Sequence, residues 1–325
     1  MSVKIGYHAS HEQFAPAELL GLVQAAEAAG FQCAKCSDHF HPWGEAQGQS
    51  GAAWPWLGAV MQGTRLPMGI VSAPGYRYHP AVLAQAIATV AQMFEGRLWV
   101  ALGSGEAINE AITGLPWPEK SERNARLIEC IDITRRLLAG ETVTHRGRVQ
   151  VIEAKLYSRP IGPVPLFGAA VSAETAALLA PYVDGLLTTG GEPEAVAKVL
   201  DAFRAAGGAG KPVVLQTALS WAPTESEAMA SALDQWGHAA AATGEVAWDV
   251  RRPADFDTIK SAIRAEDITN AVFVSADLDA HVARLKALAE LGPAEIHLHP
   301  VGRNQRAFIG TFGASVIPQL RQVIL

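Results

Sequence analysis

Short runs rich in β-branched and apolar residues alternate with helical patterns along most of this chain, and that rhythm builds a parallel sheet. Parallel neighbours cannot be joined by a tight turn, so each crossover must travel back over the sheet, usually as a helix. In the first half, strands are expected at residues 3–8, 32–37, 68–72 and 98–103. Between them Leu19, Leu22, Val23 and Ala26 repeat with the period of one helical face, as do Leu83, Ile87, Val90 and Phe94. A further helix is expected over about 122–138, stopped at Gly140.

There the rhythm breaks. Residues 142–157 carry Val143, Val149, Val151 and Ile152 around His145-Arg-Gly-Arg148, which reads as an inserted β-hairpin. Strands resume at 164–168, 185–189 and 213–219, and Thr224 and Glu227 have the spacing of a capping box. The stretch 236–270 reads as irregular, a second insertion whose expected role is a lid. The last strand falls at 295–300, followed by a helix through about Ile317. Eight βα units, with no internal repeat, low-complexity tract or linker, predict a single (β/α)8 TIM-barrel domain over 1–325, with insertions at about 141–158 and 236–270. A doubly wound open sheet is the rival, because Gly103-Ser-Gly105 follows a strand. The third glycine of the dinucleotide fingerprint, however, falls on Ile108.

Composition narrows the function classes. With 49% hydrophobic and 18% charged residues the chain can bury a large core. A net charge of -6, with no basic cluster interleaved with aromatics, argues against nucleic acid as a partner. No apolar run approaches the roughly 20 residues that cross a bilayer, and the first residues read as a strand rather than a signal peptide. A cytoplasmic protein without a membrane partner is the expectation. Cys33 and Cys36 lie three apart on an expected strand, so they point to opposite faces and read as buried thiols rather than a shared ligand pair.

Barrels present their chemistry at the C-terminal strand ends. After the second strand comes Ser37-Asp-His-Phe-His-Pro-Trp43, which offers a carboxylate, two imidazoles and a large aromatic surface. Asp38 and His39 there serve either chemistry or the pinning of a loop. After the fourth strand, glycines at 103 and 105 let a flat ligand approach the backbone, and Glu106 and Asn109 share one face of a helix start. Glu106 alternatively complements the helix N-terminus.

Taken in order, Ser37-Asp-His-Phe-His-Pro-Trp43, Tyr76-Arg-Tyr-His-Pro80, Gly105-Glu-Ala-Ile-Asn-Glu110 and Asn304-Gln-Arg-Ala-Phe308 resemble the luciferase-like flavin oxidoreductases. The resemblance runs closest to the subgroup containing deazaflavin-dependent glucose-6-phosphate dehydrogenase. It implies coenzyme F420 lying across the C-terminal mouth of the barrel, a small-molecule substrate and a homodimer. His39 then matches the catalytic base, Glu106 a proton donor near the ring nitrogen and Trp43 an aromatic wall. Asp38 and Asn109 match cofactor-contacting positions. Val71, Ser72 and Ala73 fall where the family carries a non-prolyl cis peptide against the ring, and Gly168 and Ala169 fall in the fifth-strand loop beside it.

These residue types suit hydride transfer. Hydride loss from an alcohol carbon needs a base for the hydroxyl proton, and histidine titrates near neutrality. Glu106 can donate a proton provided burial raises its pKa. Against the subgroup's pattern, Glu192 stands where the glucose-6-phosphate enzyme has a phosphate-binding lysine, the loop 167–172 lacks its paired glycines, and the third-strand loop is one residue shorter. A sugar phosphate is therefore not the expected substrate, and FMN stands as the alternative cofactor. Two other classes remain: a metal-dependent barrel hydrolase, since His297 and His299 share a strand face with His8 ending the first strand, and a non-catalytic flavin-binding barrel. Arg303 and Arg306 read either as a phosphate site or as an exposed basic pair. Trp54, Trp56, Trp99 and Trp117 read as packing or oligomer contacts, whereas Trp221, Trp236 and Trp248 border the second insertion.

Overall fold

Strands β1 (Lys4–Ala9), β2 (Cys33–Cys36), β3 (Met68–Ser72) and β4 (Leu98–Leu102) lie side by side, each parallel to the next. An antiparallel hairpin of β5 (Val143–Arg146) and β6 (Gln150–Ala154) interrupts them. The sheet continues through β7 (Leu166–Ala169), β8 (Gly185–Thr189) and β9 (Val213–Ser220); a short β10 (Phe273–Val274) pairs with the end of β9, and β11 (Glu295–Pro300) comes last. The order β9-β11-β1-β2-β3-β4-β7-β8, with β8 pairing back to β9, closes eight parallel strands into a (β/α)8 barrel. The computed structural model describes residues 3–241 and 245–324.

Alternation along each strand separates two environments. Outward residues such as Ile5, Tyr7, Leu98, Val100, Ile296 and Leu298 join the core under the helices. The helix Pro16–Ala28 buries Leu19, Leu22, Val23 and Ala26, and the helix Pro80–Met93 buries Leu83, Ile87 and Val90, the faces that the periodicity marks. Each such fully buried Leu or Ile contributes roughly 2 kcal/mol. Inside the barrel, Trp99 stacks on Phe167 with centroids 5.4 Å apart. Gly69 makes that possible, because a Cβ there would lie 2.1 Å from the Trp99 ring. Ala101, Leu187 and Val214 pack with the Trp99–Phe167 pair, and polar groups share the lumen: Lys35 Nζ lies 2.9 Å from His8 Nδ1 and also bonds Gln216 Oε1, and burial lowers its pKa to about 7.

Where expectation and structure differ, the causes are local. The irregular reading of 236–270 is corrected: the helix Glu225–Ala241 runs into it, and short helices follow at Glu245–Asp249, Pro253–Lys260 and Ala265–Ile268. Residues 242–244 of that stretch lie outside the described residues. The helices Pro253–Lys260 and Ala265–Ile268 are each anchored by one buried apolar side chain, Phe256 and Ile268, too few to make a readable period. The last helix also passes Ile317: Gln305–Thr311 continues through a π turn at Phe312–Val316 into Ile317–Ile324. Among the described residues, no helix is long and apolar enough to cross a membrane.

Candidate active site

The loops that follow β1, β2 and β4 bring three side chains into line at the C-terminal mouth. His39 Nδ1 lies 3.2 Å from Glu12 Oε1, and His39 Nε2 lies 3.6 Å from Glu106 Oε2. The Glu12 side chain is 3% exposed, against 16% for His39 and 19% for Glu106, so access to the imidazole runs from the Glu106 side. Burial alone would raise the Glu12 carboxyl. The facing His39 and hydrogen bonds from Ser10 Oγ (2.7 Å) and Ser37 Oγ (2.8 Å) outweigh it and hold the pKa at about 2.

Glu106 titrates in the opposite direction. Burial pushes its carboxyl above the usual range and the Glu12 charge adds to the push, while His39 and Asn109 pull it back. Asn109 Nδ2 donates to Glu106 Oε2 at 3.1 Å, and Asn109 Oδ1 accepts from the backbone N–H groups of Phe40 (2.9 Å) and His41 (3.3 Å). One amide thus ties the β4 loop to the β2 loop. Two carboxyls of opposite tendency on either side of one imidazole are suited to proton traffic, with an ionised partner on one side and a proton carrier on the other.

Trp43 stands edge-on to His39 with centroids 5.1 Å apart, stacks on His238 at 5.5 Å and meets Phe256 edge-on at 5.3 Å. His238 and Phe256 both come from the second insertion, which therefore backs the wall of the site. Burial, helped by the Lys260 charge, lowers the His238 pKa to about 3, so that wall is neutral. On the other flank, Asp38 is sealed, its carboxylate accepting from Ser72 Oγ (2.6 Å), Arg77 Nη1 (3.2 Å) and the Tyr78 hydroxyl (3.2 Å). Arg77 also meets Glu110, through Nε at 3.5 Å and through its backbone N–H at 2.9 Å.

Of the residues expected at the site, His39, Glu106, Trp43 and Asn109 form one contiguous cluster, with Asp38 and Ser72 joined behind it. Val71 and Ala169 belong to the lumen cluster and are partly open at the mouth, as is Ala73 near Gly105. Gly168 stands apart, turned to the helix layer, where a Cβ would meet Leu179 at 3.0 Å. The cis bond that the resemblance places at 71–73 is corrected: every described peptide is trans, the form favoured by about 3 kcal/mol away from proline. Reading the sequence missed Glu12. The signal was available, since Ser10-His-Glu-Gln13 follows a strand end as the other two loops do.

The remaining candidates have other partners. Glu192 pairs with Arg284 at 2.7 and 3.2 Å. Arg303 donates to the backbone carbonyls of Gln13, Ala46 and Gln47, so it pins loops. His297 and His299 do share the lumen face, yet His299 packs on His8 at 4.3 Å and bonds Gln216, whereas His297 bonds Glu295.

A flat tricyclic ring needs a floor of small groups beside hydrogen-bonding ones. Val71, Ala73, Gly103 and Ala169 are all partly open, with Ala169 packed by Gly103 and Ala73 by Gly105, the residue before Glu106, and they meet that requirement. A buried His39 Nδ1 with no hydrogen bond of its own, facing Glu12, marks the imidazole as poised rather than fully tied down.

Comparison with known proteins gives the following. The luciferase-like monooxygenase family profile matches residues 1–295. An F420-dependent glucose-6-phosphate dehydrogenase of Beutenbergia cavernae is 36% identical over 98% of this chain and 98% of its own. The enzyme of the same name from Mycobacterium tuberculosis is 33% identical over 99% of each chain. Among solved structures, an F420-dependent secondary alcohol dehydrogenase, in complex with an F420-acetone adduct, superposes with a TM-score of 0.90 at 28% identity, covering 99% of this chain and 100% of that one. A tetrahydromethanopterin reductase from Methanopyrus kandleri shares the fold, with a TM-score of 0.79 at 19% identity over 98% of this chain and 100% of that one.

Proposed function

The chain belongs to the luciferase-like monooxygenase family, and on that premise we propose that it is an F420-dependent dehydrogenase acting on a small, uncharged alcohol. The observation that carries the reading is His39 held between an ionised, sealed Glu12 and a raised Glu106 at the barrel mouth.

F420, when bound, supplies the two-electron hydride acceptor. The residues present supply the proton handling. His39 Nε2, on the open side of the ring, takes the hydroxyl proton from the substrate. Glu12 orients the imidazole through Nδ1 and stabilises the imidazolium that results, the role a buried carboxylate plays behind a histidine base. Glu106 holds a proton within the site for the charge that hydride arrival creates. Asp38, Ser72 and Asn109 fix the loops, and Val71, Ala73 and Ala169 line the place of the ring. Trp43 excludes water and presses the substrate toward His39.

The substrate class follows from charge and size. Glu192 neutralises Arg284 where a sugar phosphate would need an unpaired cation, and the wall of Trp43, Phe256 and neutral His238 favours apolar groups on the carbinol carbon. A homodimer, a cytoplasmic location and a single domain over 1–325 belong to the same proposal, and light scattering, fractionation and limited proteolysis test them.

The deciding experiment titrates the protein with F420 and, separately, with FMN by fluorescence. F420 reduction is then followed with short secondary alcohols and with glucose 6-phosphate, in the native protein and in His39→Ala and Glu106→Gln. F420 binding by all three proteins, with alcohol-dependent reduction confined to the native one, is expected. Preference for FMN overturns the cofactor assignment, and tight F420 binding without turnover on any alcohol makes the protein a non-catalytic binder.

A further inference from the structure

At the end of the barrel away from His39, β1 lies between β2 and β11, and its Gly6 is in register with Cys33 on one side and His297 on the other. A Cβ at position 6 would come within 2.8 Å of Cys33 Sγ and 2.5 Å of the His297 ring. Glycine is therefore what lets the two side chains close over the strand between them. Glu295, two residues before His297 and on the same strand face, adds a carboxylate. Cys33 Sγ, His297 Nε2 and a Glu295 oxygen all lie within 4.8 Å of one another, and all three residues are buried.

We infer that Cys33, Glu295 and His297 form a binding site for one divalent transition-metal ion, zinc being the best match, at the floor of the barrel. A thiolate, an imidazole and a carboxylate are the donor types that zinc takes, and three protein donors with one further position is a normal set. The metal-free contacts favour it. His297 Nε2 is at once 2.8 Å from Glu295 Oε2 and 3.8 Å from Cys33 Sγ. The one proton on that nitrogen serves the carboxylate, whereas a cation at the centre of the triangle bonds all three atoms. Lys4 Nζ, 3.9 Å from the other Glu295 oxygen, is half exposed and free to swing away, and the buried Lys35 adds a second positive charge that acts on His297.

Binding is a ligand exchange without redox change. Metal–sulfur, metal–nitrogen and metal–oxygen bonds form, the Cys33 thiol proton leaves to solvent, and the imidazole proton moves from Nε2 to Nδ1. The net charge of the two anionic ligands and the cation is then zero, which suits a buried position. Because β11 is the last strand and β1 the first, the ion would staple the barrel across its closure. With three protein donors the ion's fourth position would fall to a water, and the site lies apart from the hydride-transfer mouth.

The test is to denature the protein, remove metal with a chelator, and refold it with cobalt(II), with zinc(II) or with neither, since a buried site fills during folding. Expected are one cobalt per chain retained on desalting, with a thiolate-to-cobalt charge-transfer band, and a Tm raised by about 5 °C or more with zinc. Cys33→Ser and Glu295→Gln, both small changes in volume, should lose the band and the Tm increment while still binding F420. If the native protein retains no more metal than Cys33→Ser, or if the band survives in Cys33→Ser and so arises from Cys36 or Cys130, the proposal falls. Neither result bears on the F420 assignment, which is read at the other end of the barrel.

Discussion

Glu12 Oε1 lies 3.2 Å from His39 Nδ1, joining the loop of the first strand to that of the second through one sealed carboxylate and one partly open imidazole. A carboxylate whose pKa falls from 4.5 to about 2 on folding contributes stability that is fully present above 4.5 and is lost as pH falls toward 2. The shift corresponds to a contribution on the order of 3 kcal/mol at neutral pH. Glu12→Gln should therefore be less stable than the native protein at pH 7, with the gap narrowing below pH 4.5 and closing only near pH 2, as urea titrations would record. Its kcat should drop about a hundredfold with F420 affinity unchanged, because the base loses its orienting partner.

Glu110 predicts the opposite slope. Burial lifts its pKa to about 7 against the pull of Arg77. A raised carboxyl favours the fold below its unfolded value of 4.5, and that advantage is lost as pH climbs through 7. Glu110→Gln should flatten the decline in stability between pH 5 and pH 8 (~3 kcal/mol at most), measured as Tm against pH. A native protein whose Tm is level over that interval would contradict the assignment.

Gly69→Ala probes the lumen rather than the mouth. Its methyl would sit 2.1 Å from the Trp99 ring, which is held against Phe167 and has little room to yield. Overpacking of this kind costs about 2 kcal/mol, so Tm should fall by several degrees. An unchanged Tm would mean that the stacked pair shifts freely.

Glu192→Ser should open the site to anions. Freed from its 2.7 Å partner, Arg284 becomes an uncompensated cation by the β8 loop. The KM for glucose 6-phosphate should fall at least about tenfold relative to the native protein, a gain near 1.4 kcal/mol, with little change for a neutral alcohol. Equal effects on both substrates would remove the Glu192–Arg284 pair from the account of specificity.

Much of the barrel was legible because strand period and helix period are local properties. The strands at 68–72, 185–189 and 295–300 fall at Met68–Ser72, Gly185–Thr189 and Glu295–Pro300. Likewise the Thr224 hydroxyl accepts the Glu227 N–H, as the capping-box spacing implies. The second insertion was not legible, since helices such as Pro253–Lys260 and Ala265–Ile268 carry a single buried apolar anchor each, below what a period needs.

By itself the sequence determined which residues could reach the mouth, because a residue just after a parallel strand has nowhere else to go; hence His39, Trp43, Glu106 and Asn109. Only the tertiary structure decided how those groups are partnered. It set Glu12, from a loop 27 residues earlier in the chain, against His39, closed Asp38 off with Ser72, Arg77 and Tyr78, and gave Glu192 to Arg284. Burial and pairing fix a carboxyl's charge, and both depend on distances across the barrel that no local pattern encodes.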